Sequence, residues 1–227
     1  MNRAKVFDIE RERQRRIANL ITGGSNALDG FSQELGRHEW LADGGQRALR
    51  FAMATEYRHP GQSSETYLAH PLRVGTLYLE HSPGPCPEGL TLALLHNVLE
   101  VGRVERLALE EEFGIWLVKA LELLNVDRGQ ERDAGYKEVY YSRIGEAERH
   151  VGEVKVLDKL DNLFLLCLNP DKAVRENYLA EIEQWVLPLA ARRVPGVLDS
   201  MRALVEDNRA RGYRPLEEWK GPKSNEP

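Results

Sequence analysis

The stretch Leu90-Thr91-Leu92-Ala93-Leu94-Leu95-His96-Asn97-Val98-Leu99-Glu100-Val101 decides how this chain is read. Leu90, Leu92, Leu94, Leu95, Val98 and Leu99 spread over nearly the whole circumference of a helix, so the helix is expected to be buried. His96 and Glu100 are four apart, and Asn97 and Glu100 three apart, which predicts all three on one side of it. Polar groups in an apolar setting cost roughly 2–7 kcal/mol unless something satisfies them. A ligand, a metal or a hydrogen-bond network is therefore expected beside His96.

Outward from this stretch, the neighbouring segments also read as helices. Residues 46–58 carry Ala48, Leu49, Phe51, Ala52 and Ala54, with Pro60-Gly61 as the breaker. Pro71 predicts the first turn of a helix running to about His81, which Pro83-Gly84-Pro85 ends. Residues 107–113 and 115–126 predict two more helices, the second buried; 127–135 is a polar loop, and 136–150 a helix with exposed charge. Residues 154–168 form a second apolar helix carrying Asp158 and Asn162 four apart, with Asp161 one step around. Asn169-Pro170-Asp171 stops it, and two terminal helices follow over 173–191 and 194–209. At the other end, the mixed charges of 7–20 predict a solvated, salt-bridged helix in preference to a nucleic-acid patch. No segment alternates at strand length and no repeat is visible, so the fold class is all-α.

Composition narrows the function classes. The 227 residues, 42% hydrophobic and 30% charged, are those of a soluble globular domain with no membrane-spanning run. The charged N-terminus lacks a secretory signal, and two cysteines are too few for a disulfide framework, so a reducing cytoplasm is expected. A net charge of −5 argues against nucleic acid as a partner. If the ligand carries phosphates, a local cation or metal must attract it against the overall field.

Three helices each bring polar groups into apolar surroundings: His70 on one, His96 with Asn97 and Glu100 on the next, Asp158 with Asn162 on a third. Taken singly, each has a bland reading as a cap, an ion pair or a surface residue. Together, two imidazoles and a carboxylate suit a first-row divalent ion such as manganese, iron or zinc. Lys155 and Lys159 flank Asp158 and read either as solvated or as phosphate contacts, while Tyr136, Tyr140 and Tyr141 read as core or as a base pocket.

These residues also carry a family resemblance. Gly61-Gln62, Glu65-Thr66-Tyr67-Leu68-Ala69-His70-Pro71, Leu94-Leu95-His96-Asn97-Val98-Leu99-Glu100, Phe113-Gly114, Val156-Leu157-Asp158-Lys159-Leu160-Asp161-Asn162-Leu163 and Leu187-Pro188-Leu189-Ala190 follow one another as in HD-superfamily phosphohydrolases. More narrowly, over residues 45–190 the chain resembles the alarmone (ppGpp) hydrolase domain of Rel/Spo-type enzymes and its small single-domain relatives. Their motifs read Leu-Leu-His-Asp-x-x-Glu-Asp and Lys-Leu-Ala-Asp-Arg-Leu-x-Asn. The resemblance implies a compact helical bundle over 41–211, a charged helical extension over 1–40 and a polar tail over 212–227. It implies one divalent ion, often manganese, held by His70, His96, Asn97 and Asp158. Glu100 would position or activate the water. Asn162, with Lys159 and Tyr67, would contact a small phosphorylated nucleotide. His59 is expected behind these residues.

The departures fall on the site. Asn97 replaces the namesake aspartate and lowers the ligand charge from −2 to −1, and Val101 replaces the second acid of the Glu-Asp pair. The segment between Gln62 and Glu65 is short and drops the arginine that the family stacks on the base, and Leu165 stands where long alarmone enzymes have a hydroxyl residue. Two functions follow: a metal-dependent phosphohydrolase for a nucleotide or pyrophosphate-containing small molecule, or a catalytically impaired relative that binds a nucleotide or a partner protein as a sensor or scaffold. Association into a homo-oligomer is left open.

Overall fold

The computed structural model describes residues 7–219, and among them the chain is built from helices, with only isolated β-bridges at Tyr57–Gly102 and His59–Gln62. Among the described residues, no helix is long and apolar enough to cross a membrane.

Two successive helices open the chain: α1 (Ile9–Thr22), capped by the Asp8 carboxylate on Arg11 N, and α2 (Ser25–Leu35). Gly23 and Gly24 join them with φ of 76° and 85°, the left-handed region where a side chain is strained. A Cβ on Gly24 would also lie 3.1 Å from the Glu65 carbonyl, so the double glycine seats the turn against the next layer. Helices α3 (Ala42–Ala54) and α4 (Ser64–His81) follow. The Ser63 hydroxyl caps α4 by accepting from Thr66 N at 3.2 Å, which moves its start ahead of the expected one. Pro71 therefore lies inside α4, not in its first turn.

The central stretch is not one helix. Helix α5 (Pro87–Leu95) ends before His96; Asn97 adopts φ −108°, ψ 3°, and a single turn, α6 (Val98–Val101), resumes beyond it. This bridge-region conformation suits an asparagine whose side chain is engaged nearby. The break redirects Glu100 relative to His96. After α7 (Arg106–Phe113), Gly114 at φ 87° turns the chain into α8 (Ile115–Leu124). Helix α9 (Ala134–Glu146) is capped by Asp133, which accepts from Tyr136 N at 2.7 Å.

Helix α10 (Arg149–Leu165) forms the spine, packed by α1, α4, α5, α12 (Leu187–Arg193) and α13 (Leu198–Arg211). It is enclosed nearly all round, with its charged Glu153, Lys155, Asp158 and Asp161 buried alongside Val154, Leu157 and Leu160. Helix α11 (Lys172–Glu181) reaches α12 through a π-turn at Ile182–Val186.

Helix α1 departs most from its expected solvated face. Arg13 and Arg16 are buried: Arg13 Nε donates to the Phe164 carbonyl at 2.9 Å and its guanidinium pairs with Asp207, while Arg16 reaches Asp161 of α10. Together with α2 packed on α4, this makes the two helices over 9–35 a layer of the bundle.

Candidate metal centre

Helices α4, α5 and α10 bring His70, His96 and Asp158 together, all buried, with one potential ligand atom from each lying within 4.8 Å of the others. His70 Nε2 stands 3.1 Å from His96 Nε2 and 3.3 Å from Asp158 Oδ1; His96 Nε2 is 3.7 Å from that oxygen. The remaining ring nitrogens fix the tautomers. His96 Nδ1 lies 2.8 Å from the Ala93 carbonyl, which can only accept, so Nδ1 carries the hydrogen. His70 Nδ1 lies 2.8 Å from Asp161 Oδ2 and donates to it in the same way. With Nδ1 of each ring committed to an acceptor, Nε2 of each is the atom that faces the other ring and the Asp158 carboxylate. Two imidazole nitrogens and a carboxylate oxygen converging in this way fit a divalent ion such as manganese, iron or zinc.

The electrostatics follow from burial and partners. Burial opposes ionisation of Asp158, but Lys155, His70 and His96 outweigh it and hold its carboxyl well below the usual carboxylate range. Asp161 behaves likewise, with Arg73, Arg16 and His70 overcoming its burial. Burial disfavours a charged His70 ring, yet its hydrogen bonds to Asp158 and Asp161 raise its pKa.

The other expected site residues share a cavity of about 210 Å³ above this cluster, but several have different partners. Asn97 donates its amide nitrogen to the Tyr67 hydroxyl at 2.8 Å, so its carbonyl oxygen is the atom it could offer a cation. Tyr67 itself is buried, with its hydroxyl pushed above the usual phenol range by burial, and stacks on His59 at 5.1 Å. Glu100 pairs with Arg128, a residue the sequence did not single out. Asn162 donates to Asp158 Oδ1 at 2.8 Å, and Lys155 binds Asp158 Oδ2 at 3.2 Å. Lys159 turns the other way, onto Glu181 at 2.6 Å and the Tyr178 ring at 4.4 Å. Neither lysine is solvated: both are drawn inside by carboxylates. Tyr140 and Tyr141 are buried, and with Tyr136 they line an adjoining cavity of about 160 Å³ that shares Arg128, Lys159 and Tyr178 with the first.

Sequence reasoning missed Arg16, Arg73 and Arg128 and gave Asp161 no role. The available signal was weak: Asp161 is a second carboxylate on an apolar helix, but its arginine partners are distant in sequence.

No protein-family model matches the chain, and no curated protein matches it in sequence. Among solved structures, it is similar to a metazoan ortholog of SpoT described as hydrolysing ppGpp and playing a role in starvation responses. The two superpose with a TM-score of 0.58 at 19% identity, over 75% of this chain and 97% of that one. This likeness establishes the all-α fold.

Proposed function

We propose that this protein is a metal-dependent phosphohydrolase of the HD superfamily, acting on a nucleotide or pyrophosphate-containing small molecule such as a ppGpp-like alarmone. The observation that carries the reading is the convergence of His70 Nε2, His96 Nε2 and Asp158 Oδ1 beside a polar cavity that His70 and Asp158 line. The fold's likeness to a ppGpp hydrolase supports it.

In this reading His70, His96 and Asp158 hold a divalent ion, manganese by preference, with the Asn97 carbonyl as a weaker fourth ligand. A bound divalent ion supplies Lewis acidity toward a phosphoryl oxygen and lowers the pKa of a coordinated water. Lys155 and Asn162 fix the Asp158 carboxylate through one oxygen each. Glu100 lines the cavity and takes the general-base role once Arg128 releases it. Tyr67, Asn162 and Lys159 border the substrate's space, and Arg128 adds a cation at its mouth. The site suits a small soluble substrate in the cytoplasm.

A second reading, a catalytically impaired relative that binds a nucleotide or a partner protein, is favoured by one observation. Asn97 has no charge to give a cation, its amide is engaged by Tyr67, and Val101 leaves Glu100 without a second acid. Elemental analysis of the purified protein, with manganese-supplemented ppGpp and nucleotide assays, separates the two. Stoichiometric metal with turnover refutes the impaired reading. Absence of metal and turnover, unrescued by Asn97→Asp, refutes the hydrolase reading; the expected outcome of Asn97→Asp is tighter metal binding and faster turnover, because it restores one ligand charge.

A further inference from the structure

We infer that Asp161, clamped by Arg16 and Arg73, is the positioning residue for His70, and that helix α1 is thereby a working part of the metal centre. The inference rests on the metal reading above.

Asp161 is fully buried, and every contact of its carboxylate is accounted for. Oδ2 accepts from His70 Nδ1 at 2.8 Å and from an Arg73 terminal nitrogen at 2.8 Å. Oδ1 accepts from Arg16 Nε at 2.8 Å, and Arg73 Nε spans both oxygens at 3.0 and 3.1 Å. Arg16 is itself held on other sides: its Nη1 donates to the Glu12 carbonyl at 3.0 Å and to the Glu12 carboxylate at 2.9 Å, and its guanidinium lies 3.9 Å from the Phe164 ring centroid. A group fixed in this way holds the carboxylate in one orientation, and the carboxylate holds the imidazole ring.

The two histidines differ in how they are oriented. His96 leans on a neutral backbone carbonyl of α5, which it follows directly, whereas His70 leans on a carboxylate. A carboxylate partner fixes the ring and strengthens Nε2 as a ligand, and such outer partners typically contribute 10–100-fold in metal affinity. Left alone, Asp158 and Asp161, three residues apart on one buried helix, would put two uncompensated carboxylates in one apolar space. The arginines neutralise Asp161, so it acts through His70 and leaves the cation to Asp158. Arg16 lies outside the stretch that resembles the hydrolases, and Asp161 occupies a position their motif leaves variable.

A plain structural staple for α1 would make the same ion pairs, so the test must read the ring. In Asp161→Asn one oxygen remains, and two arginines claim it; the amide NH2 then faces His70 Nδ1 and forces the proton onto Nε2, the atom needed for metal. Long-range ¹H–¹⁵N correlation of the metal-free full-length protein under alkaline conditions is expected to find His70 with its proton on Nδ1 in the wild type and on Nε2 in Asp161→Asn. Mn²⁺ titration is expected to find affinity lowered about 10–100-fold in that variant, and about tenfold in Arg16→Met, which keeps the helical stem. Circular dichroism identifies any variant that has failed to fold. An unchanged tautomer in folded Asp161→Asn overturns the positioning role. Wild-type Mn²⁺ affinity in Arg16→Met overturns the part given to α1. A wild type that binds no Mn²⁺ refutes the metal reading instead, and the tautomer measurement still decides the inference.

Discussion

Glu181 offers the sharpest quantitative prediction, because its partners and its acidity are both defined. Its carboxylate, 13% exposed, accepts from the Tyr141 hydroxyl at 2.6 Å and pairs with Lys137 and Lys159 at 2.6 Å each. Burial alone would raise its pKa, but Lys159, Lys137 and Tyr141 reverse this and bring it from 4.5 down to about 2. At about 1.36 kcal/mol per tenfold change in proton affinity, that drop corresponds to about 3 kcal/mol of stability at neutral pH. The sign is set by the direction. A carboxyl with a depressed folded pKa stabilises fully above its unfolded value and loses that contribution as pH falls from about 4.5 toward about 2. Glu181→Gln keeps the shape and removes the charge. Urea unfolding at neutral pH is expected to shift to a lower midpoint by about 1.5 M, taking a slope of about 2 kcal/mol per molar. The gap between wild type and variant should narrow as the pH is lowered through 4 and nearly close where Glu181 is protonated. A gap that stays constant down to acid pH would refute the ion-pair account and leave only packing.

Gly89→Ala places a Cβ 1.9 Å from the Tyr78 hydroxyl and 2.9 Å from His150 Cβ, so α5 must shift against α4 and α10. An overpacking loss of about 1–3 kcal/mol is expected in thermal or urea unfolding, and an unaltered midpoint would show that the interface has slack. Arg128→Ala should change stability by less than about 1 kcal/mol, because the arginine's side chain is 69% exposed in its pair with Glu100. The same variant should weaken nucleotide binding in calorimetry, and unchanged binding would remove Arg128 from the substrate's path.

What the sequence disclosed was the residue out of keeping with its neighbours, and what it withheld was where an ordinary charged side chain turns. His96 and Asp158 were legible because each is a polar residue among leucines and valines, and burying it without compensation is costly. The all-α class was legible from the same apolar spacing. Arg16 was not, because a mixed-charge helix reads identically whether its arginines meet water or a carboxylate 145 residues away. Arg13, whose partner Asp207 is 194 residues distant, is the same case. Lys155 and Lys159 read either as solvated or as phosphate contacts, yet Asp158 and Glu181 draw them inside. The break at Asn97 escaped periodicity because the aliphatic pattern continues through it; only the hydrogen bond to Tyr67, thirty residues earlier, marks it.

The cavity's cations resolve how a chain of net charge −5 could receive a phosphorylated ligand. Arg73, Lys155, Lys159 and Arg128 all border it, but each is matched by a carboxylate: Asp161, Asp158, Glu181 and Glu100 in turn. A phosphate entering the cavity gains only from cations that can leave their partners. Breaking a buried pair costs about 3–5 kcal/mol, which removes Arg73, Lys155 and Lys159 from ready use. An exposed pair contributes about 0–1 kcal/mol, so Arg128 is the cation that can move. Its transfer to a phosphate would leave the Glu100 carboxylate free at the moment a substrate arrives, coupling anion binding to release of the proposed base. Arg128 reaches the cavity from the loop after α8. In the proposed function Arg128 would draw the anion against the overall field, and its present pairing with Glu100 would hold that carboxylate until the anion binds.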